Sequence, residues 1–113
     1  MIKHIVMWDV QGASEQELRA NIARLKDAFE GLRGRVPGLL HLEVGSDESN
    51  VDYACDVVLY SEFESRAALS AYATHPAHLQ VREALQGLRI ARYQVDYATA
   101  AETEGARGPE AVV

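Results

Sequence analysis

A chain of 113 residues has room for one domain with a real core and is too short for two. Hydrophobic residues make up 48% and charged ones 25%, a globular balance that argues against disorder. The formal net charge is −6, and the 11 Lys and Arg residues are scattered without a run, which speaks against nucleic-acid binding. The first element is "HIVMWDV" (4–10), a β-branched-rich strand. It sets His4, Val6, Trp8 and Val10 on one face and Ile5, Met7 and Asp9 on the other. Both faces carry bulky apolar groups, so this strand is expected to be covered on both sides. The opening "MIKHIVMWDV" alternates too regularly, and is too short, to be read as a signal peptide.

Ser14-Glu-Gln-Glu17 has the form of a capping box, with the Ser14 hydroxyl accepting from the Glu17 amide and the Glu17 side chain reaching back. Leu18, Ile22, Leu25, Phe29 and Leu32 then step by four and three along one helical stripe. Gly31 and Gly34 close that helix, and "VPG" (36–38) turns the chain. "LLHLEVG" (39–45) has strand period, with Leu40, Leu42 and Val44 opposed to Leu39, His41 and Glu43. After a polar turn at 46–50, "VDYACDVVLYSEF" (51–63) is read as one long strand-prone run. Cys55 lies inside it as a small buried hydrophobe; as the lone cysteine it excludes an internal disulfide. Ser65 caps "RAALSAYAT", which Pro76 interrupts; the same proline opens a second helix, "PAHLQVREALQGL", with Val81, Leu85 and Leu88 on its buried stripe. "ARYQVDYAT" (91–99) is the last strand, with Tyr93, Val95 and Tyr97 on one face.

The order β-α-β-β-α(α)-β predicts a ferredoxin-like α+β sandwich over residues 1–99, a four-stranded antiparallel sheet with helices on one face. Residues 100–113 are without periodicity and are read as a flexible tail. The second sheet face, expected to include Ile5, Met7, Val44 or its neighbours and several residues from 53 to 60, is apolar enough to call for a partner. Face-to-face pairing into a dimeric α/β barrel satisfies that need. No apolar stretch approaches the roughly 20 residues of a membrane span, so a cytoplasmic protein is expected.

Three blocks, "IKHIVMW", "VPGLLHLEVG" and "YSEFESRAALSAYATHPAHLQV", resemble the stress-responsive A/B barrel (Dabb) family. The resemblance covers roughly residues 1 to 98, and its most specific part is "FES" followed by "AY" and "HPAH". It implies a dimeric barrel but no single activity. One branch of the family contains plant polyketide cyclases of the olivetolic acid type. Its active tyrosine and histidine fall on Tyr72 and His78, and a pocket histidine falls on His4.

The residues support that assignment on their own chemistry. With Pro76 at the first helical position, His78 sits in the first turn, where the helix N-terminus disfavours imidazolium and leaves a neutral base. Tyr72, just before the break, supplies a phenol that can hold an enolate oxygen. An aldol closure by such a pair needs no metal or redox cofactor. Tyr72 also fits a core stripe with Leu69, and His75 most simply caps the helix break. His75 and His78 have metal-pair spacing without a visible third ligand. His4 is either a strand-edge residue or pocket lining, and Trp8 either core or cavity wall. His4, Trp8 and His75 are therefore the candidate ligand-binding residues. The sequence points to a homodimeric Dabb protein with a pocket for a small apolar carbonyl-bearing ligand. That protein is a cofactor-independent cyclase-like or isomerase-like enzyme using Tyr72 and His78. The alternative is a non-catalytic stress-responsive oligomer or ligand carrier.

Overall fold

The computed structural model describes residues 1–99 of the chain, so the expected tail at 100–113 lies outside the described residues. Seven elements follow in order: β1 (Ile2–Val10), α1 (Glu15–Glu30), β2 (Leu39–Ser46), β3 (Val57–Phe63), α2 (Arg66–Ala73), α3 (Pro76–Ala84) and β4 (Arg89–Ala98). The four strands form one antiparallel sheet in the order β2-β3-β1-β4, the ferredoxin-like arrangement. The strict alternation of β1 sends Val6, Trp8 and Val10 under the helices, where Leu59, Phe63, Leu42 and Val44 join them from β3 and β2.

Helix α1 begins as its sequence dictates. The Ser14 hydroxyl accepts from the Glu17 amide at 3.1 Å, although no return bond from the Glu17 side chain forms among the described residues. Leu25, Phe29 and Leu32 are fully buried, and Leu18 and Ile22 pack at the edge of the core. Trp8 stacks on Phe29 with ring centroids 5.2 Å apart, which ties this helix to the central strand. The "VPG" turn needs its glycine. Gly38 has φ +83°, and a Cβ there would stand 2.5 Å from the Ala68 Cβ, so the turn and α2 approach more closely than any side chain permits.

Two sequence expectations are corrected in the middle of the chain. Leu40, assigned to the same face as Leu42 and Val44, is 56% exposed. The register shifts between Leu39 and His41, leaving Leu40 as the extra residue of a bulge. The long run from 51 is not one strand: residues 51–56 are a loop, and β3 starts at Val57. The Asp56 amide donates to Trp8 O at 3.0 Å, and the Asp56 carboxylate accepts from the Val10 amide at 2.8 Å. These bonds fix the loop against the end of β1, so Cys55 is half-buried ahead of the strand and Tyr53 is 90% exposed. Burial and the nearby Asp9 and Asp56 carboxylates push the Cys55 thiol up, away from thiolate.

The face of the sheet turned away from the helices is apolar along its middle. Ile5 and Val58 are half-buried there, while Met7, Tyr93, Val95 and Tyr97 are exposed. Val44 belongs to the opposite, helix-covered face; from 53 to 60, Val58 and Tyr60 of β3 share the open one, and Tyr53, Ala54 and Cys55 of the loop line a pocket there with Met7 and Tyr93. No described helix is long and apolar enough to cross a membrane.

Candidate functional site

Pro76 breaks the second helical segment, and the break builds the site. Tyr72 lies in the last turn of α2, His75 caps the N-terminus of α3, and His78 occupies the first turn of α3. The His75 Nδ1 accepts from the Ala77 amide at 3.0 Å, so this ring is committed to the helix junction. His75 does not line the cavity that Tyr72 and His78 share; it caps α3. His78 turns the other way. Its ring stacks on Tyr72 with centroids 4.1 Å apart and planes at 27°.

Both rings line a cavity of about 720 Å³ between the helices and the inner face of the sheet. His4, Val6 and Trp8 of β1 form part of its lining, and Arg92, Gln94 and Asp96 of β4 form another. The antiparallel register explains this grouping, because His4 pairs with Asp96, Val6 with Gln94 and Trp8 with Arg92. Trp8 therefore serves the core and the cavity together. His4 is buried, not at a solvent edge; its Nδ1 lies 2.5 Å from Asp96 Oδ1, and its ring meets Tyr72 edge-on at 6.1 Å.

Hydrogen bonding assigns the protons on both histidines. A carboxylate accepts only, so His4 Nδ1 carries a proton and donates it to Asp96. His78 Nδ1 lies 3.3 Å from the Ala73 carbonyl, which likewise places the proton on Nδ1 and the lone pair on Nε2. Burial lowers the His78 pKa, and the Arg82 and Arg89 charges add to the effect, while the Ala73 and Tyr72 carbonyls oppose it. The direction matches the sequence expectation. Burial of the ring, which stacks on Tyr72, is the largest cause, one the sequence expectation did not include. Burial raises the Tyr72 phenol well above its ordinary value, so the hydroxyl keeps its proton. Asp96 was not singled out by sequence reasoning. Its signal was the polar alternation Arg92, Gln94, Asp96, opposed to Tyr93, Val95 and Tyr97 along one strand. No group of three or more metal-binding side chains occurs among the described residues.

The family model for the stress responsive A/B barrel domain matches residues 2–99, every described element included. The chain belongs to the Dabb family. No curated protein matches it. Among solved structures, a dimeric ferredoxin-like protein of unknown function from Bacteroides fragilis is 29% identical, with 87% of this chain and 95% of that one covered at a TM-score of 0.76. A Dabb family protein from Mesorhizobium loti is 26% identical over 87% of this chain and 95% of that one, at a TM-score of 0.64. The hydroxynitrile lyase of Passiflora edulis shares the fold at 16% identity, with 85% and 90% covered and a TM-score of 0.71. At that identity the likeness speaks for the Dabb fold alone.

Proposed function

We propose that this Dabb protein is a homodimer whose cavity binds a carbonyl-bearing small molecule and catalyses a cofactor-independent, cyclase-like or isomerase-like reaction on it. The observation that carries this reading is the stacked Tyr72–His78 pair on the wall of one cavity. His78 Nε2 takes a proton from the carbon next to a carbonyl; the C–H pair forms the carbon–carbon double bond of the enolate, and the carbonyl π pair moves onto oxygen. Tyr72 donates a hydrogen bond to the resulting enolate oxygen. In a substrate with a second carbonyl, the enolate carbon attacks it and closes a ring, and the imidazolium returns its proton to the new alkoxide. The Asp96 carboxylate holds the buried His4 imidazole beside the phenol, where it can orient the same substrate. A non-catalytic carrier would use the same cavity without proton transfer, and turnover separates the two.

Tyr72→Phe tests the chemistry. The variant retains the ring stack and loses only the hydroxyl. Turnover of a poly-β-ketone thioester, followed as cyclised product, is expected to fall by about 10²–10³-fold, the usual cost of one oxyanion donor. Equal turnover in wild type and variant would remove Tyr72 from the chemistry.

Assembly is tested separately. The open face carrying Met7, Tyr93, Val95 and Tyr97 is expected to pack against the same face of a second copy, burying more than about 1,000 Å² in total. Sedimentation at micromolar concentration should show a dimer, and Val95→Asp should shift it to a monomer. A wild-type monomer would exclude the barrel.

A further inference from the structure

The cavity holds more positive charge than the proton transfer uses. Arg66 of α2, Arg82 of α3, and Arg89 and Arg92 of β4 all line it. These are four of the chain's 11 basic residues, gathered in one cavity of a protein whose formal net charge is −6. Elsewhere Arg19 pairs with Glu15 at 2.7 Å and Arg33 approaches Glu30 at 3.6 Å, while Arg24 bonds the Ala84 carbonyl. Among the described residues, none of the four cavity arginines has an acidic partner. Asp96 is the single carboxylate in the lining, and its two oxygens are taken by His4 and by the Gln94 amide. Arg92 bonds only to the neutral Gln94 side chain.

Arg89 is the most telling of the four. Its half-buried guanidinium lies 5.2 Å from the Trp8 ring centroid and 5.8 Å from that of Phe29, with no anion to balance it. Burial, and then the Arg92 and Arg82 charges, work against its own charge. A guanidinium does not lose its proton at ordinary pH, so this repulsion among the arginines persists. An entering anion would relieve it, and the planar fork of a guanidinium fits two oxygens of a carboxylate or phosphate at once. Arg89 also bears electrostatically on Tyr72 and His78, which places the basic group beside the proposed chemistry.

We propose that the cavity's ligand is two-ended: an anionic head, carboxylate or phosphate, is held by Arg82, Arg89 and Arg92, while its carbonyl reaches Tyr72 and His78. This rests on the carbonyl-binding function given above and names the substrate class. The same positive field draws anions toward the cavity and favours negative charge on an enolate oxygen.

Levulinate, a keto acid, its neutral methyl ester and inorganic phosphate are the probes, titrated into the whole protein and followed by NMR chemical shifts. Levulinate is expected to bind about tenfold or more tightly than the ester, as one charge-assisted contact requires, with the advantage shrinking as salt is added. Arg82→Gln and Arg89→Gln should each reduce the difference between acid and ester, and Arg89→Lys should restore part of it. The Arg82 substitution lies on an exposed helix position, so it tests the head site even if Arg89→Gln does not fold. Inorganic phosphate displacing levulinate at lower concentration than levulinate itself marks phosphate as the preferred head; the reverse order marks carboxylate. Equal affinity for acid and ester, or an acid preference untouched in both variants, overturns the anionic head. If ester binding is then still lost in Tyr72→Phe, the carbonyl site stands without it. An acid preference in which Tyr72→Phe changes neither affinity overturns the carbonyl site and the two-ended arrangement together.

Discussion

His78→Ala is expected to lower turnover of a poly-β-ketone thioester by about 10²–10⁴-fold, the range for loss of a positioned general base. The fold should survive, because the His75 cap and Pro76 still hold the helix junction when the His78 stack on Tyr72 and its 3.3 Å contact to Ala73 are lost. Thermal melts and turnover measured on the same preparations decide it. A variant that melts early and loses nothing in rate per folded molecule would make His78 a structural residue. The pH profile supplies an independent check. A base must be neutral to act, and burial lowers the His78 pKa, so the acid limb of activity should fall below the roughly 6.5 of a free histidine. Stability has the same sign. Folding favours the neutral ring, so its contribution is complete above the unfolded pKa and is lost as pH drops through the folded one. His78→Ala should remove that acid-side dependence. An acid limb unchanged in the alanine variant would assign the titration to another group.

Leu25→Ala is expected to destabilise the protein by about 2–5 kcal/mol, the largest loss from a single α1 aliphatic side chain. Leu25 is fully buried within the core cluster that includes Trp8 and Phe29. Truncation leaves a cavity that well-packed aromatic neighbours cannot fill. Ser14→Ala, which removes one bond at an exposed helix start, should cost only about 0.5–2 kcal/mol. Urea unfolding of both variants at one fixed protomer concentration keeps any subunit dissociation common to the comparison. A smaller loss for Leu25→Ala than for Ser14→Ala would mean that α1 presents a different face to the sheet.

What the sequence made legible was periodic or local. The alternation of β1 and the stripe of α1 show in the chain because each element obeys one repeat from end to end. Leu40 was misplaced because a bulge inserts a residue without leaving a mark in the hydrophobic pattern. Val51, Tyr53 and Cys55 have strand propensity, yet backbone bonds through Asp47 and Asp56 hold their segment as a loop. Tyr72 and His78 were legible because a proline separates them within one short motif. Asp96 was not, since it meets His4 across 92 residues of chain and only strand pairing brings them together. The arginines were hidden for the same reason: scattered in sequence, they converge only when α2, α3 and β4 surround one space.

The edge strand β4 carries two interleaved tracks. Positions 92, 94 and 96 turn inward to the cavity, and positions 93, 95 and 97 turn outward to the open face. Neither track can be altered in register without disturbing the other, because a slip of one residue would exchange tyrosines for arginine and aspartate on both sides. If a second copy covers the outward track, ligand and subunit grip opposite sides of the same ribbon. A ligand that holds the inward side in place should then tighten association, and association should tighten ligand binding by the same factor.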